Sequence, residues 1–196
     1  MTVCPRVAYF CMEYGLDPAF PIYAGGLGIL AGDHMKSAGD LRIPVVGIGL
    51  LWDEGYTRQV VGAGGGLEDE YPKTSREALR RLDARVEVTV RGRTLPLRAW
   101  RVDRYCSAPL YLLEPEREED RWITQRLYGG GVEDRIAQEI VLGVGGVRLL
   151  DALGERPEVF HFNEGHAVFA GLELLRQLRH RRTLPRRRGK RPQDES

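Results

Sequence analysis

The spacing of apolar positions changes several times along the chain, and each change predicts an element. Residues 6–12 (RVAYFCM) form an apolar strand run, and the Gly/Pro-rich stretch that follows to Pro21 reads as a loop. From about residue 26 to 41, Leu27, Leu30, Ala31, Met35 and Ala38 recur near one face of a helix. Residues 44–51 (PVVGIGLL) are a continuous apolar run, as in a strand buried on both faces. Strand, helix and buried strand make a βαβ unit, with the pair Gly25-Gly26 at its first strand-to-helix corner.

The middle of the chain loses this order. Residues 62–69 (GAGGGLED) have no period and predict a glycine-rich loop, and residues 76–83 predict a short helix. Residues 85–91 (RVEVTVR) alternate, then Gly92-Arg93 turns into 94–102, giving a hairpin with one wet face. With another apolar strand at 110–113, this makes an antiparallel β insertion over about 56–113. Helical spacing returns over 133–153, where Ile136, Ile140, Val141, Val144, Val147 and Leu150 share a face. Gly143, Gly145 and Gly146 cost that helix ~1 kcal/mol each against alanine, a cost tolerated where a helix packs close on another backbone. Gly154 stops it. A short strand at 159–162 and an apolar-faced helix at 164–178 follow, with Asn163-Glu164-Gly165-His166 at the strand's carboxyl end.

Composition adds bounds to this picture. The chain has 196 residues, 42% hydrophobic and 29% charged, enough for one domain with a real core. No window approaches the 18 or so apolar residues of a membrane span, and no signal peptide is expected. Cys4, Cys11 and Cys106 are odd in number and widely spaced, which fits reduced thiols in a cytoplasm and neither a disulfide framework nor a zinc site. The net charge of +1 hides an asymmetry: residues 176–191 hold nine Lys/Arg and no acid, leaving residues 1–175 at −6. The tail, 179–196, is expected to be a basic, solvated, disordered end; an interaction with nucleic acid through it is the competing reading.

Two groups of residues could carry chemistry. Gly25-Gly26 opens a helix, where backbone N–H groups and the helix dipole favour an anion; as a bare glycine pair it is also an ordinary tight turn. Neither GxGxxG nor GxxxxGK[ST] is present, which weakens dinucleotide and P-loop readings. Asn163, Glu164 and His166 sit at the same carboxyl edge, where ligands bind open parallel sheets, and Glu13 follows the first strand toward that crevice. A histidine after a strand is also a common structural residue, and Glu13 could equally cap a helix. No HExxH or GxSxG is present, so metal-protease and serine-hydrolase readings fail.

Several stretches resemble the α-glucan (glycogen/maltodextrin) phosphorylases, especially the short bacterial type. They are VAYFCMEYGLDPAFPIYAGGLGILAGDHMKSAGDL, IPVVGIGLLWDEGYTRQ, LYLLEPEREEDRWITQRLYGGGVEDRIAQEIVLGVGGVRLLDALG and FHFNEGHAVFAGLELLR, in order across residues 7–176. Starch and glycogen synthases share a related glycine-rich turn but not this series. The resemblance implies an α/β fold: a Rossmann-like part of the N-terminal lobe of a GT-B type glycosyltransferase, over residues 1–178. It implies phosphorolysis of α-1,4-glucan to glucose 1-phosphate, with pyridoxal phosphate as cofactor. By motif, the backbone of Gly25 and Gly26 would approach the substrate phosphate. Leu27, Glu13, Glu164 and His166 would line the glucosyl pocket, supported by Asn163. The family's cofactor lysine and basic phosphate clamp lie in a C-terminal lobe, so the isolated chain is expected to be inactive and to need that lobe as a partner; homodimers are also common in the family. A non-catalytic sugar or phosphate binder and a starch-synthase-like glycosyltransferase are the alternatives. Departures are Gly131, where the family usually has an acid, GGGLED near 65–69, and the tail. Half a cleft should also leave an apolar surface exposed.

Overall fold

In the computed structural model, residues 4–105 and 108–183 are described; Cys106 and the segment beyond residue 183 lie outside them. In chain order the strands and α-helices are β1 (Val7–Phe10), α1 (Gly26–Asp40), β2 (Val45–Leu50), β3 (Arg58–Val61), β4 (Leu67–Glu70), β5 (Leu79–Arg81), β6 (Val86–Val90), β7 (Arg93–Val102), β8 (Leu110–Pro115), α2 (Val132–Ile140), α3 (Gly146–Ala152), β9 (Val159–Phe162) and α4 (Val168–Thr183).

The apolar strands build the centre. β8, β2, β1 and β9 lie side by side in that order, all parallel, and every residue of β2 and β8 is buried. The chain starts at β1, steps outward through β2 to β8, then returns to place β9 on the other side of β1. That reversal is a topological switch point, which opens a crevice at the carboxyl ends of β1 and β9. On one face α1 packs, with Met35 against Gly47 of β2. On the other lies the second crossover, in which α2 and α3 run together through a π-helical turn, Val141–Gly145. Gly143 explains the close packing at that turn: a Cβ there would stand 2.5 Å from the backbone nitrogen of Ala170 on α4. Each fully buried Leu, Ile or Phe in this core contributes about 1.5–3 kcal/mol.

The middle segment departs from its sequence reading in three places. Residues 62–69 are not an unstructured loop: they include the turn of a hairpin, and β4 pairs antiparallel with β3, Val61 opposite Leu67. Both strands are largely exposed, so no burial pattern marked them. Residues 76–83 hold strand β5 rather than a helix, because Leu79, Arg80 and Arg81 pair with Val102, Arg101 and Trp100 of β7. β8 pairs antiparallel with β7 but parallel with β2, so it belongs to the central sheet rather than to the insertion alone. The expected hairpin is present as β6 and β7, its alternate residues buried.

Buried ion pairs fix the outer pieces to the sheet. Glu114 on β8, almost inaccessible, accepts hydrogen bonds from Arg76 (2.8 and 2.9 Å) and from Trp100 Nε1 on β7 (2.8 Å), and Arg76 also donates to Asp53 after β2 (2.7 Å). Glu173 on α4 accepts from Arg148 (3.0 Å) and Arg176 (2.7 Å), and Arg148 reaches on to the carbonyl of Glu87 in β6. α4 continues past residue 178, so residues 179–183 of the expected tail are helical.

Candidate functional site

Glu13 anchors the turn at the carboxyl edge of the sheet. It lies three residues beyond β1 and is only 3% exposed. Its Oε2 accepts the N–H groups of Ala24 (2.6 Å) and Gly25 (3.3 Å), and its Oε1 accepts the Tyr128 hydroxyl (2.5 Å). One carboxylate therefore ties three segments together: the end of β1, the turn before α1 and the loop before α2. Helix and loop approach closely because the sequence leaves out side chains there. A Cβ on Gly28 would stand 2.6 Å from Glu13 Oε2, and one on Gly32 would stand 2.1 Å from the carbonyl oxygen of Gly15.

Gly25 and Gly26 behave differently. A Cβ on either would meet nothing within 4 Å. Their lack of a side chain relieves no internal clash; it keeps the space in front of the α1 N-terminus open. Gly25, the N-cap, receives no side-chain capping bond. Its N–H is taken by Glu13, whereas the N–H groups of Gly26, Leu27 and Gly28 have no acceptor among the described residues. The Gly26 donor and the positive end of the helix dipole therefore face the opening, whereas Gly28 is buried against Glu13 and Tyr23. Leu27 is half-buried against the core.

Beyond β9, the Asn163 N–H donates to the carbonyl of Phe10 (2.9 Å) and its Nδ2 to Cys11 Sγ (3.2 Å), which locks the ends of β9 and β1 together. Glu164 is exposed and carries φ 61°, ψ −177°, a conformation strained for any residue with a Cβ. It starts the short 3₁₀ turn Gly165–Ala167 that turns His166 back toward the loop before α2. His166 Nε2 lies 3.5 Å from Arg135 Nη1. The Arg135 guanidinium also stacks 4.7 Å from the centre of the Tyr128 ring. Burial and then the Arg135 charge lower the His166 pKa, which favours the neutral ring; its Nδ1 is buried without a partner among the described residues. Burial, reinforced by the Glu13 carboxylate, raises the Tyr128 pKa and keeps its proton in place as a donor.

The structure thus brings together Glu13, Gly25, Gly26, Leu27, Asn163 and His166 at one edge, with Glu164 on its exposed rim. Within this group Glu13 is turned inward and holds the turn. Sequence reasoning missed Tyr128 and Arg135. The run Tyr128-Gly129-Gly130 before a helix does signal a turn, but the positive φ of Tyr128 (60°), which directs its hydroxyl to Glu13, is not written in any local pattern. Among the described residues no group of His, Cys, Asp and Glu could hold a metal ion. The described lysines, Lys36 within α1 and Lys73 before β5, are not buried. The residues present therefore do not fit an imine-forming pyridoxal phosphate site.

No family model matches the chain. It is 47% identical over 191 residues to "Glycogen phosphorylase" of Mycobacterium tuberculosis (strain CDC 1551 / Oshkosh), covering 88% of this chain and 22% of that one. It is 41% identical over 181 residues to "Maltodextrin phosphorylase" of Thermococcus litoralis, covering 86% of this chain and again 22% of that one. The chain therefore spans 22% of the length of these curated relatives. Among solved structures, its fold is similar to the catalytic domain of starch synthase IV from Arabidopsis thaliana bound to ADP and acarbose. The TM-score is 0.59 at 20% identity, over 85% of this chain and 29% of that one, which shows a shared fold of the GT-B type. No helix among the described residues is long and apolar enough to cross a membrane.

Proposed function

We propose that this chain, a relative of the glycogen and maltodextrin phosphorylases, forms one wall of a site that takes a glucosyl unit of an α-1,4-glucan beside inorganic phosphate. The observation that carries the reading is the turn held by Glu13, which leaves the N-terminus of α1 open in front of Gly25 and Gly26 with the Gly26 N–H unpaired among the described residues. An anion there gains hydrogen bonds and the helix dipole without displacing a side chain. On this reading Leu27 offers the sugar an apolar surface. Glu164, Asn163 and His166 line the opposite rim, where the neutral His166 ring stands beside Arg135.

The arrangement supports binding and orientation, and it is one-sided. Phosphorolysis needs two reactants held together and shielded from water, which a single wall does not provide. Pyridoxal phosphate, if the reaction uses it, is held by residues other than those described, so the isolated chain is inactive on this reading. Two measurements test it. In a phosphate titration of the isotope-labelled chain followed by NMR, the amides of Gly25 to Gly28 should shift selectively; their staying fixed at millimolar phosphate would overturn the reading. The chain should release no glucose 1-phosphate from maltodextrin with phosphate and pyridoxal phosphate, and should do so when a cofactor-bearing lobe is added.

A further inference from the structure

A cavity of about 270 Å³, apart from the crevice residues, is lined by Trp122, Gln125, Arg126, Gly129, Gly130 and Asp134. Its frame is tied down on several sides. Trp122 sits in the 3₁₀ turn Glu118–Thr124 that follows β8, with the Arg91 guanidinium 4.9 Å from the centre of its ring. Backbone bonds fix the next residues to the segment after β2: the N–H groups of Asp53 and Glu54 donate to the carbonyls of Thr124 (3.0 Å) and Gln125 (2.8 Å), and Leu127 N–H donates to the carbonyl of Glu54 (3.3 Å). Gly129 and Gly130 form a turn too tight for side chains: a Cβ on the first would stand 3.0 Å from Arg126 Cβ, and one on the second 2.6 Å from Asp134 Oδ2. The residue before them, Tyr128, donates to Glu13, so one loop borders both the cavity and the crevice.

Two side chains in this lining lack the partners that their counterparts elsewhere have. Of the chain's three tryptophans, Trp52 donates its Nε1–H to the carbonyl of Met12 (3.0 Å) and Trp100 to Glu114 (2.8 Å), whereas that of Trp122 has no acceptor among the described residues. Gln59, Gln138 and Gln177 donate through their amides to Asp69, Gly129 and Asp151, whereas the side-chain amide of Gln125 makes no hydrogen bond among the described residues. The Gly130 N–H is likewise unpaired among them. The charges of the wall are already matched, Arg126 to Glu54 (3.2 Å) and Asp134 to Arg91 (3.2 Å). An ion therefore finds no unmatched charge here, and an apolar group would strip water from the indole and amide without replacing it. A hydroxyl both donates and accepts, which suits them. The volume falls just below the roughly 300–1,000 Å³ of drug-sized sites, room for a single six-membered ring. We propose that the cavity is a second saccharide subsite, which holds one uncharged pyranose ring through Trp122, Gln125 and the Gly130 N–H. Only the identity of the sugar, a glucosyl unit, rests on the function proposed above; the ligand class stands on the cavity alone.

The test is an NMR titration of the isotope-labelled full chain with maltose. The Trp122 indole N–H, the Gln125 side-chain amide and the Gly130 N–H should shift together with a millimolar midpoint, while the indoles of Trp52 and Trp100 stay fixed. Sorbitol, an open-chain polyol, should leave all of them in place at the same concentration. Gln125→Ala should weaken maltose binding about fivefold, the loss of one hydrogen bond. Gln125 is exposed, so the variant should keep the thermal midpoint of the parent. No shift at Trp122 and Gln125 overturns the proposal. So does an equal response to sorbitol, or a Gln125→Ala variant that binds maltose as tightly as the parent. Inorganic phosphate, read at Gly26, separates this subsite from the function proposed above. Maltose shifts at Trp122 without a phosphate shift at Gly26 keep the subsite and fail that function. A phosphate shift at Gly26 without maltose shifts at Trp122 does the reverse.

Discussion

Replacing Glu13 by alanine should loosen the crevice more than any other single change at its edge. The carboxylate is 3% exposed and holds three donors: Ala24 N–H at 2.6 Å, Gly25 N–H at 3.3 Å and the Tyr128 hydroxyl at 2.5 Å. Gly25 is exposed and can turn to water, so its bond is the least costly to lose. The other two are short bonds to a charged acceptor, worth about 1.5–3 kcal/mol each. Removing a buried charge returns part of that sum as relieved desolvation. The expected loss is therefore about 2–4 kcal/mol, read as a lower urea midpoint at unchanged slope. Glu13→Gln keeps a carbonyl oxygen for Ala24 and should lose about half as much. Both variants should also blunt the phosphate-induced shifts at Gly26 to Gly28, because the turn is no longer fixed. An alanine variant as stable as the parent, or a glutamine variant as damaged as the alanine one, would refute the argument.

Other outcomes follow from single contacts. Gly32→Ala would place a Cβ 2.1 Å from the Gly15 carbonyl oxygen and should cost about 3 kcal/mol in denaturant unfolding. Gly26→Ala meets only open space, so it should change stability by less than about 0.5 kcal/mol while weakening the phosphate response. Burial pushes the Glu173 carboxyl up, but hydrogen bonds from Arg176 and Arg148 outweigh it and bring the pKa to about 2. Its ionised form therefore stabilises the fold above the ordinary pKa of 4.5, and that stability disappears as pH falls toward 2. With allowance for the exposed side of Arg176, about 1–2 kcal/mol of the difference between the parent and Glu173→Gln should vanish over that range. His166 should titrate below an ordinary histidine by NMR, and Arg135→Gln should move it back upward; an unmoved midpoint would remove Arg135 as a cause.

The sequence by itself determined the buried half of this protein. The apolar runs at β1, β2 and β8 and the alternation of β6 and β7 each report burial, and so does most of the helical spacing of α1 and of the α2–α3 segment, although Leu30 and Ile136 on those faces are exposed. It also located the two glycine and polar clusters of the crevice, because turns and strand ends have their own residue preferences. Tertiary structure decided the rest. β4 and β5 are strands only because β3 and β7 supply partners, and exposed strands carry no hydrophobic period. The parallel pairing of β8 with β2 depends on where the insertion returns the chain. Glu13 faces inward because Ala24 and Tyr128, 11 and 115 residues away, bring donors to it. Arg135 meets His166 across 31 residues. Such pairings are set by the three-dimensional path of the chain: local spacing limits which face a residue takes, and only packing decides what stands opposite.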